Sequence, residues 1–211
     1  MKFYKLFAVV LFSFVLSACS TQSTDSVEGE ASQAPEPTLY TNTDFGFSFD
    51  LPADWIQQET NGKTVYGMTS AKATPATLAS GEEVQFACNA VTVEVYGLDM
   101  SGSDEQKKHD ALKIMDTNLF ESVSAADPEY TVTISADYGT FASSPNDFEA
   151  FVHKYSTQNV DFVEPILGEV TWSTFVFKDR PYLVKSSTCA DFDPEGAQQV
   201  QELLDSFATF Y

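Results

Sequence analysis

Residues 45–52 read Phe-Gly-Phe-Ser-Phe-Asp-Leu-Pro, so Phe45, Phe47, Phe49 and Leu51 fall on one face of an extended strand and Pro52 ends it. A strand with a single apolar face has to be covered, so this segment demands a sheet with something packed on it. The material for that core is present: 43% of the residues are hydrophobic and 18 are Phe, too much for a disordered acidic chain.

The remaining pattern is read in chain order. A strand over 55–59 and its return over 63–69 flank Asn61-Gly62, whose residues both tolerate positive φ and favour a tight hairpin. Residues 70–82, with Pro75 and Gly81, read as a loop. A long strand over 83–96 changes parity, since Val84, Phe86 and Cys88 are even but Val91, Val93 and Val95 odd; one extra residue, a β-bulge near Asn89-Ala90, would reconcile them. Ser103 and Gln106 have capping-box spacing ahead of a helix whose stripe is Leu112, Met115, Leu119 and Phe120. A strand follows over 130–136. Ser144-Pro145 then opens a second helix, with Phe148, Phe151, Val152 and Tyr155 at i, i+3, i+4 and i+7. Strands over 169–177 and 182–188 enclose Lys178-Asp179-Arg180-Pro181. Asp193-Pro194-Glu195 starts a last helix with Val200, Leu203, Leu204, Phe207 and Phe210 on one side. The order of elements is that of an α+β domain, an antiparallel β-sheet flanked by helices.

Ahead of this body stands an address. Lys2 and Lys5 precede an apolar run over 6–15, and Leu16-Ser17-Ala18-Cys19 follows. The run is a secretory signal peptide, too short for a span of about 20 apolar residues. The four residues that end it resemble the lipobox of bacterial lipoproteins. That resemblance implies lipidation of Cys19, cleavage of residues 1–18, and an extracytoplasmic domain anchored in the cell membrane or the outer membrane. Two acyl chains suffice for stable anchoring where one is marginal. Residues 19–39 then form a lipidated Cys and a disordered Ser/Thr/Pro-rich acidic linker with an r.m.s. span of about 25 Å. The globular domain is placed at 40–211.

Charge excludes a class of partner. There are 11 Lys+Arg against 31 Asp+Glu, a formal −20 that becomes −22 once Lys2 and Lys5 leave with the signal peptide. No basic stripe exists to neutralise phosphates, so no nucleic acid is expected. Such a body is held off anionic headgroups and favours a basic partner surface. Two His and three Cys cannot supply a His-rich metal site or a zinc ribbon.

The stretch from Tyr40 to Trp55, with its Gly46-Phe47-Ser48-Phe49 strand, Pro52 turn and Trp55, is similar to the opening of PsbP-like domains. The closing hairpin and the helix ending Leu204-Asp205-Ser206-Phe207 are similar to the way those domains finish. The resemblance covers about residues 40–211 and implies a twisted antiparallel sheet between helices. It also implies an accessory or protein-binding role. The family shares no catalytic residues, so none are carried over.

Three constellations remain. Cys88 and Cys189 both lie outside the cytoplasm once Cys19 is lipidated, and they are expected to pair as a disulfide, the alternative being two separate buried thiols. Asp191, Asp193, Glu195 and Glu202, with Gly196 at the sixth place, match the spacing of a calcium loop; the same residues equally describe Asp193 capping a helix with Pro194 in its first turn. Asp99, Asp104 and Glu105 form a second acidic turn, read as a helix cap. His109 and His153 fall on the polar sides of the two expected helices, without a nucleophile motif. Trp55, Trp172 and the Phe residues serve either as core or as the lining of an apolar ligand groove. The expectation is therefore a non-enzymatic envelope lipoprotein that binds an envelope protein, with no cofactor. The alternative is a small-molecule or Ca²⁺-binding lipoprotein using the groove or the Asp191–Glu202 loop.

Overall fold

The alternating segment around Phe47 and Phe49 forms the strand its pattern demands, and the two rings are fully buried. A computed structural model describes residues 36–60, 65–70, 73–126, 135–141, 147–159 and 161–211. The stretch read as a signal peptide, Cys19, most of the expected linker, the expected Asn61-Gly62 turn and the expected Ser144-Pro145 helix start lie outside the described residues.

Strands β1 (Thr38–Asn42) and β2 (Phe47–Leu51) pair antiparallel, and the short β12 (Ala208–Thr209) joins the other edge of β2. β1 starts at Thr38, just inside the stretch assigned to the linker. The main sheet has seven antiparallel strands, β3 (Trp55–Thr60), β4 (Val65–Ser70), β7 (Ala90–Val95), β8 (Ser135–Phe141), β9 (Phe148–Asn159), β10 (Ile166–Phe177) and β11 (Arg180–Thr188), in the order β3-β4-β7-β11-β10-β9-β8. A separate hairpin is made by β5 (Thr74–Thr77) and β6 (Glu83–Phe86). Helix α1 (Glu105–Ala126) contacts β10, and α2 (Pro194–Asp205) contacts β2 and β11.

The seven-stranded sheet is covered on both faces. On one, Val91, Val93, Val95, Phe175, Phe177, Tyr182 and Val184 meet Phe47 and Phe49 of β2 and Val200, Leu203 and Phe207 from α2 and its exit. The rings of Phe47, Phe49 and Phe207 stack with centroids 5.7–6.4 Å apart. On the other face α1 lies over the side chains of alternate β9 and β10 residues, His153, Trp172 and Thr174.

This two-sided burial explains the largest difference from the sequence reading. Residues 148–155 form part of β9 and not a second helix. Phe148 and Val152 join the core on the α2 side, while the Phe151 ring packs tilted against His109 of α1 at 5.2 Å. A strand that is apolar on both faces loses its alternation, and here the residue order mimics a helical stripe. The expected long strand over 83–96 is likewise two strands in two sheets: the parity change marks the crossing at Ala87–Asn89, where a bulge was expected. Residues 70–82 contain β5 where a loop was expected. The strand expected over 130–136 appears, within the described residues, as β8 beginning at Ser135. The last helix stops at Asp205, so Phe207 and Phe210 belong to its exit.

One tight connection matches its sequence signal. Lys178 and Asp179 both have positive φ, 48° and 55°, as a two-residue hairpin between Phe177 and Arg180 requires. The Lys178 ammonium sits 5.5–6.0 Å from the ring centroids of Phe177, Phe210 and Tyr211, and Asp179 pairs with Lys108 of α1 at 2.9 Å. The turn meets Gly46, where a Cβ would collide with the Phe210 carbonyl and the Lys178 ammonium.

Candidate functional site

The crossing from β6 to β7 meets the exit from β11, and three of the residues singled out in the sequence, Cys88, Cys189 and Asp193, converge there. Asn89 is the centre of the junction and is 1% exposed. Its Oδ1 accepts the Cys189 N–H at 3.1 Å, and its Nδ2 donates to Asp193 Oδ2 at 2.7 Å and to the Asp193 carbonyl at 3.3 Å. Ser187 Oγ donates to the Cys88 carbonyl at 3.1 Å. The Cys189 carbonyl accepts the N–H groups of Phe192 and Asp193 at 3.0 and 2.8 Å, which turns the chain into α2. Asp193 Oδ1 accepts the Gly196 N–H at 3.1 Å, the N-cap bond read from the sequence. Gly196 is required by contact, because a Cβ would run into Asn89 Nδ2 and Asp193 Oδ2.

Cys88 and Cys189 are brought together here as two free thiols, Cys88 half-buried and Cys189 7% exposed. Both side chains pack in one satellite core. The interaction of the two thiols, reinforced by burial, pushes the Cys88 thiol up, while the same interaction draws Cys189 down. Asp193 raises both. The expected disulfide partners are thus neighbours, but in this structure they are not bonded.

The acidic run does not form a calcium loop. α2 is continuous from Pro194, so Glu195 and Glu202 are seven helical residues apart, about 10 Å along the axis at 1.5 Å per residue. One cation with oxygen ligands at about 2.3–2.6 Å cannot join them. Asp191 and Glu195 are exposed, Glu202 accepts from Gln198 Nε2 at 2.7 Å, and both Asp193 oxygens are engaged at the junction. Among the described residues no group of three His, Cys, Asp or Glu side chains is placed to hold a metal. In the other acidic turn, Asp104 and not Ser103 caps α1, its Oδ1 accepting the Lys107 N–H at 2.9 Å. Asp99 Oδ1 accepts the Ser101 N–H at 2.8 Å. These backbone bonds hold both carboxyls below their usual range.

A second cluster escaped the sequence reading. His153, expected on a polar helix face, is 6% exposed on β9, and its Nε2 faces Asp116 Oδ2 of α1 at 2.5 Å. Asp116 is 3% exposed; its Oδ1 accepts from Trp172 Nε1 at 3.0 Å and from Thr174 Oγ1 at 2.6 Å. Burial pushes the Asp116 carboxyl up, but the bonds from His153, Thr174 and Trp172 outweigh it and hold the group below its ordinary value. The signal was an Asp on an otherwise apolar helix face, between Leu112 and Leu119.

Trp55 and Trp172 are core residues, 6% and 1% exposed. A cavity of about 400 Å³ lies between β5, residues 162–166 and Phe192, walled by Pro75, Ala76, Phe162, Val163 and Ile166. It borders a satellite core in which Phe162, Ile166 and Cys189 are buried and Phe86, Cys88 and Phe192 pack against them. The Phe86 and Phe162 rings are tilted at 4.9 Å.

No protein-family model and no curated protein matches the chain. Among solved structures it is similar to a crystal structure from Bacteroides thetaiotaomicron, with 10% identity over 84% of this chain and a TM-score of 0.49; the chain spans 50% of that protein's length. It is similar to the same degree to cyanobacterial PsbP (CyanoP) from Synechocystis, with 10% identity, 88% of this chain, 98% of that one and a TM-score of 0.49. LpqN of Mycobacterium tuberculosis, a protein involved in cell envelope biogenesis, aligns with 9% identity over 83% of this chain and 91% of its own, at a TM-score of 0.43.

Proposed function

We propose that the chain is a lipid-anchored envelope protein, fixed through Cys19, whose α+β body acts as a non-enzymatic binding module for a basic envelope protein. The observation that carries this reading is the leader ending in Leu16-Ser17-Ala18-Cys19, followed by a polar tether and a body that leaves the protein at −22 after processing. Among the described residues no helix is long and apolar enough to cross a membrane, which fits an anchor at the N-terminus. The accessory role follows from the PsbP-like resemblance of residues 40–55 and 204–207. Fractionation tests the anchor: the wild type stays with membranes and Cys19→Ser is released or left unprocessed. Cross-linking in intact envelopes tests the partner, whose capture by the acidic body falls as salt rises through the range where the Debye length drops below about 10 Å.

A second reading rests on the cavity beside Phe162 and Phe192, whose volume suits a small ligand and whose walls combine Ala76, Phe162, Val163 and Ile166 with the polar Thr77 and Glu164. A ligand bound there raises the melting temperature of the folded chain with the logarithm of its concentration above the dissociation constant.

A further inference from the structure

Two thiols are held in contact at the point where the chain changes sheets, and the segments that carry them are tied to each other independently of sulfur. Asn89 bonds the Cys189 N–H and the α2 cap, and Ser187 bonds the Cys88 carbonyl. Only Cys88 is open to solvent in part; Cys189 is buried in the satellite core. The cavity wall shares Ala76, Phe162, Ile166 and Phe192 with that core. A bond between the sulfurs would close a loop of about 100 residues and fix the β5–β6 hairpin to the start of α2.

We propose that Cys88 and Cys189 are a reversible dithiol–disulfide latch that reacts with a small disulfide oxidant and, when closed, clamps the satellite core and its cavity against the main sheet. The chemistry starts from two thiols. Cys88, the solvent-accessible one, loses its proton to water and attacks one sulfur of the oxidant, breaking its S–S bond and expelling a thiolate. Cys189 gives its own proton to that thiolate and attacks the Cys88 sulfur, expelling the second thiolate. The protein sulfurs lose two electrons, and the oxidant gains them as one thiol and one thiolate. The geometry of the pair does not depend on the anchoring reading; an extracytoplasmic location only supplies oxidising surroundings.

The test uses the full chain carrying Cys19→Ala, which removes the third thiol, in oxidised and reduced glutathione. In the oxidised buffer the two maleimide-reactive thiols of the unfolded protein fall to none, the peptides bearing Cys88 and Cys189 are recovered linked, and the melting temperature rises by about 10–15 °C over the reduced form. Reduction reverses all three. Thiols that stay reactive in a natively folded chain overturn the proposal, and so does a linked protein that melts with the reduced one. Single variants read the order of attack: Cys189→Ser keeps glutathione on Cys88, whereas Cys88→Ser takes it up at least about tenfold more slowly because Cys189 is buried. Equal rates contradict the assignment of Cys88 as the entry point.

Discussion

His153 Nε2 faces Asp116 Oδ2 at 2.5 Å across the boundary between α1 and the main sheet, and Trp172 and Thr174 donate to the other oxygen of the same carboxylate. One carboxylate thus fixes three side chains from β9 and β10 under the helix. Asp116→Ala leaves three buried donors without their acceptor and lowers stability by about 3–5 kcal/mol, the scale for breaking one partner of a buried charged network. Asp116→Asn keeps an acceptor for Trp172 and Thr174 and costs less, about 1–3 kcal/mol. Urea unfolding of the two variants checks both figures and their order.

The same carboxylate makes stability depend on pH. Its folded value lies below the ordinary 3.8, so the unfolded chain takes up a proton there first. The contribution is fully present above the unfolded value and is lost as the pH falls through the folded one. The urea midpoint of the wild type therefore drops as the pH is lowered below about 4, and Asp116→Asn removes part of that slope. A slope unchanged in the variant assigns the acid sensitivity to other carboxylates.

Gly196→Ala sets two effects against each other at the α2 start. Alanine gains up to about 1 kcal/mol of helix propensity, but its Cβ meets Asn89 Nδ2 and Asp193 Oδ2, both held by the junction. The collision wins, because moving either group breaks buried hydrogen bonds at about 1–3 kcal/mol each. Chemical denaturation shows the variant destabilised despite its better helix former.

Asp193→Ala removes the cap and strands Asn89, costing more than the roughly 1 kcal/mol of an ordinary exposed cap. Asp191→Ala and Glu202→Gln change stability by less than about 0.5 kcal/mol, as surface substitutions do, and millimolar Ca²⁺ leaves the melting curves of all three where they were. A Ca²⁺-dependent shift lost in Asp191→Ala restores the calcium loop.

What the sequence shows and hides follows from how far each signal reaches. The Phe47–Phe49 strand, the Asp193 cap and the Lys178-Asp179 turn depend on neighbours within a few residues, and each forms where its pattern places it. The start of β9 carries a helical pattern because Phe148 and Val152 face one layer and Phe151 another, and periodicity cannot show how many faces a strand buries. Asn89 and Asp116 have partners 37 to 104 positions away, so their roles exist only once the sheet order is known. The parity change at Asn89 was a true signal, read as a bulge because a change of sheet gives the same pattern.

The proposed anchor at Cys19 underlies the proposed location, the meaning given to the charge and the oxidising surroundings proposed for the thiol pair. Mass spectrometry of the N-terminal peptide of the membrane-extracted protein measures it directly. The account predicts a chain that begins at Cys19 with a diacylglyceryl thioether on its sulfur; a chain that keeps residues 1–18, or begins elsewhere with an unmodified Cys19, contradicts it.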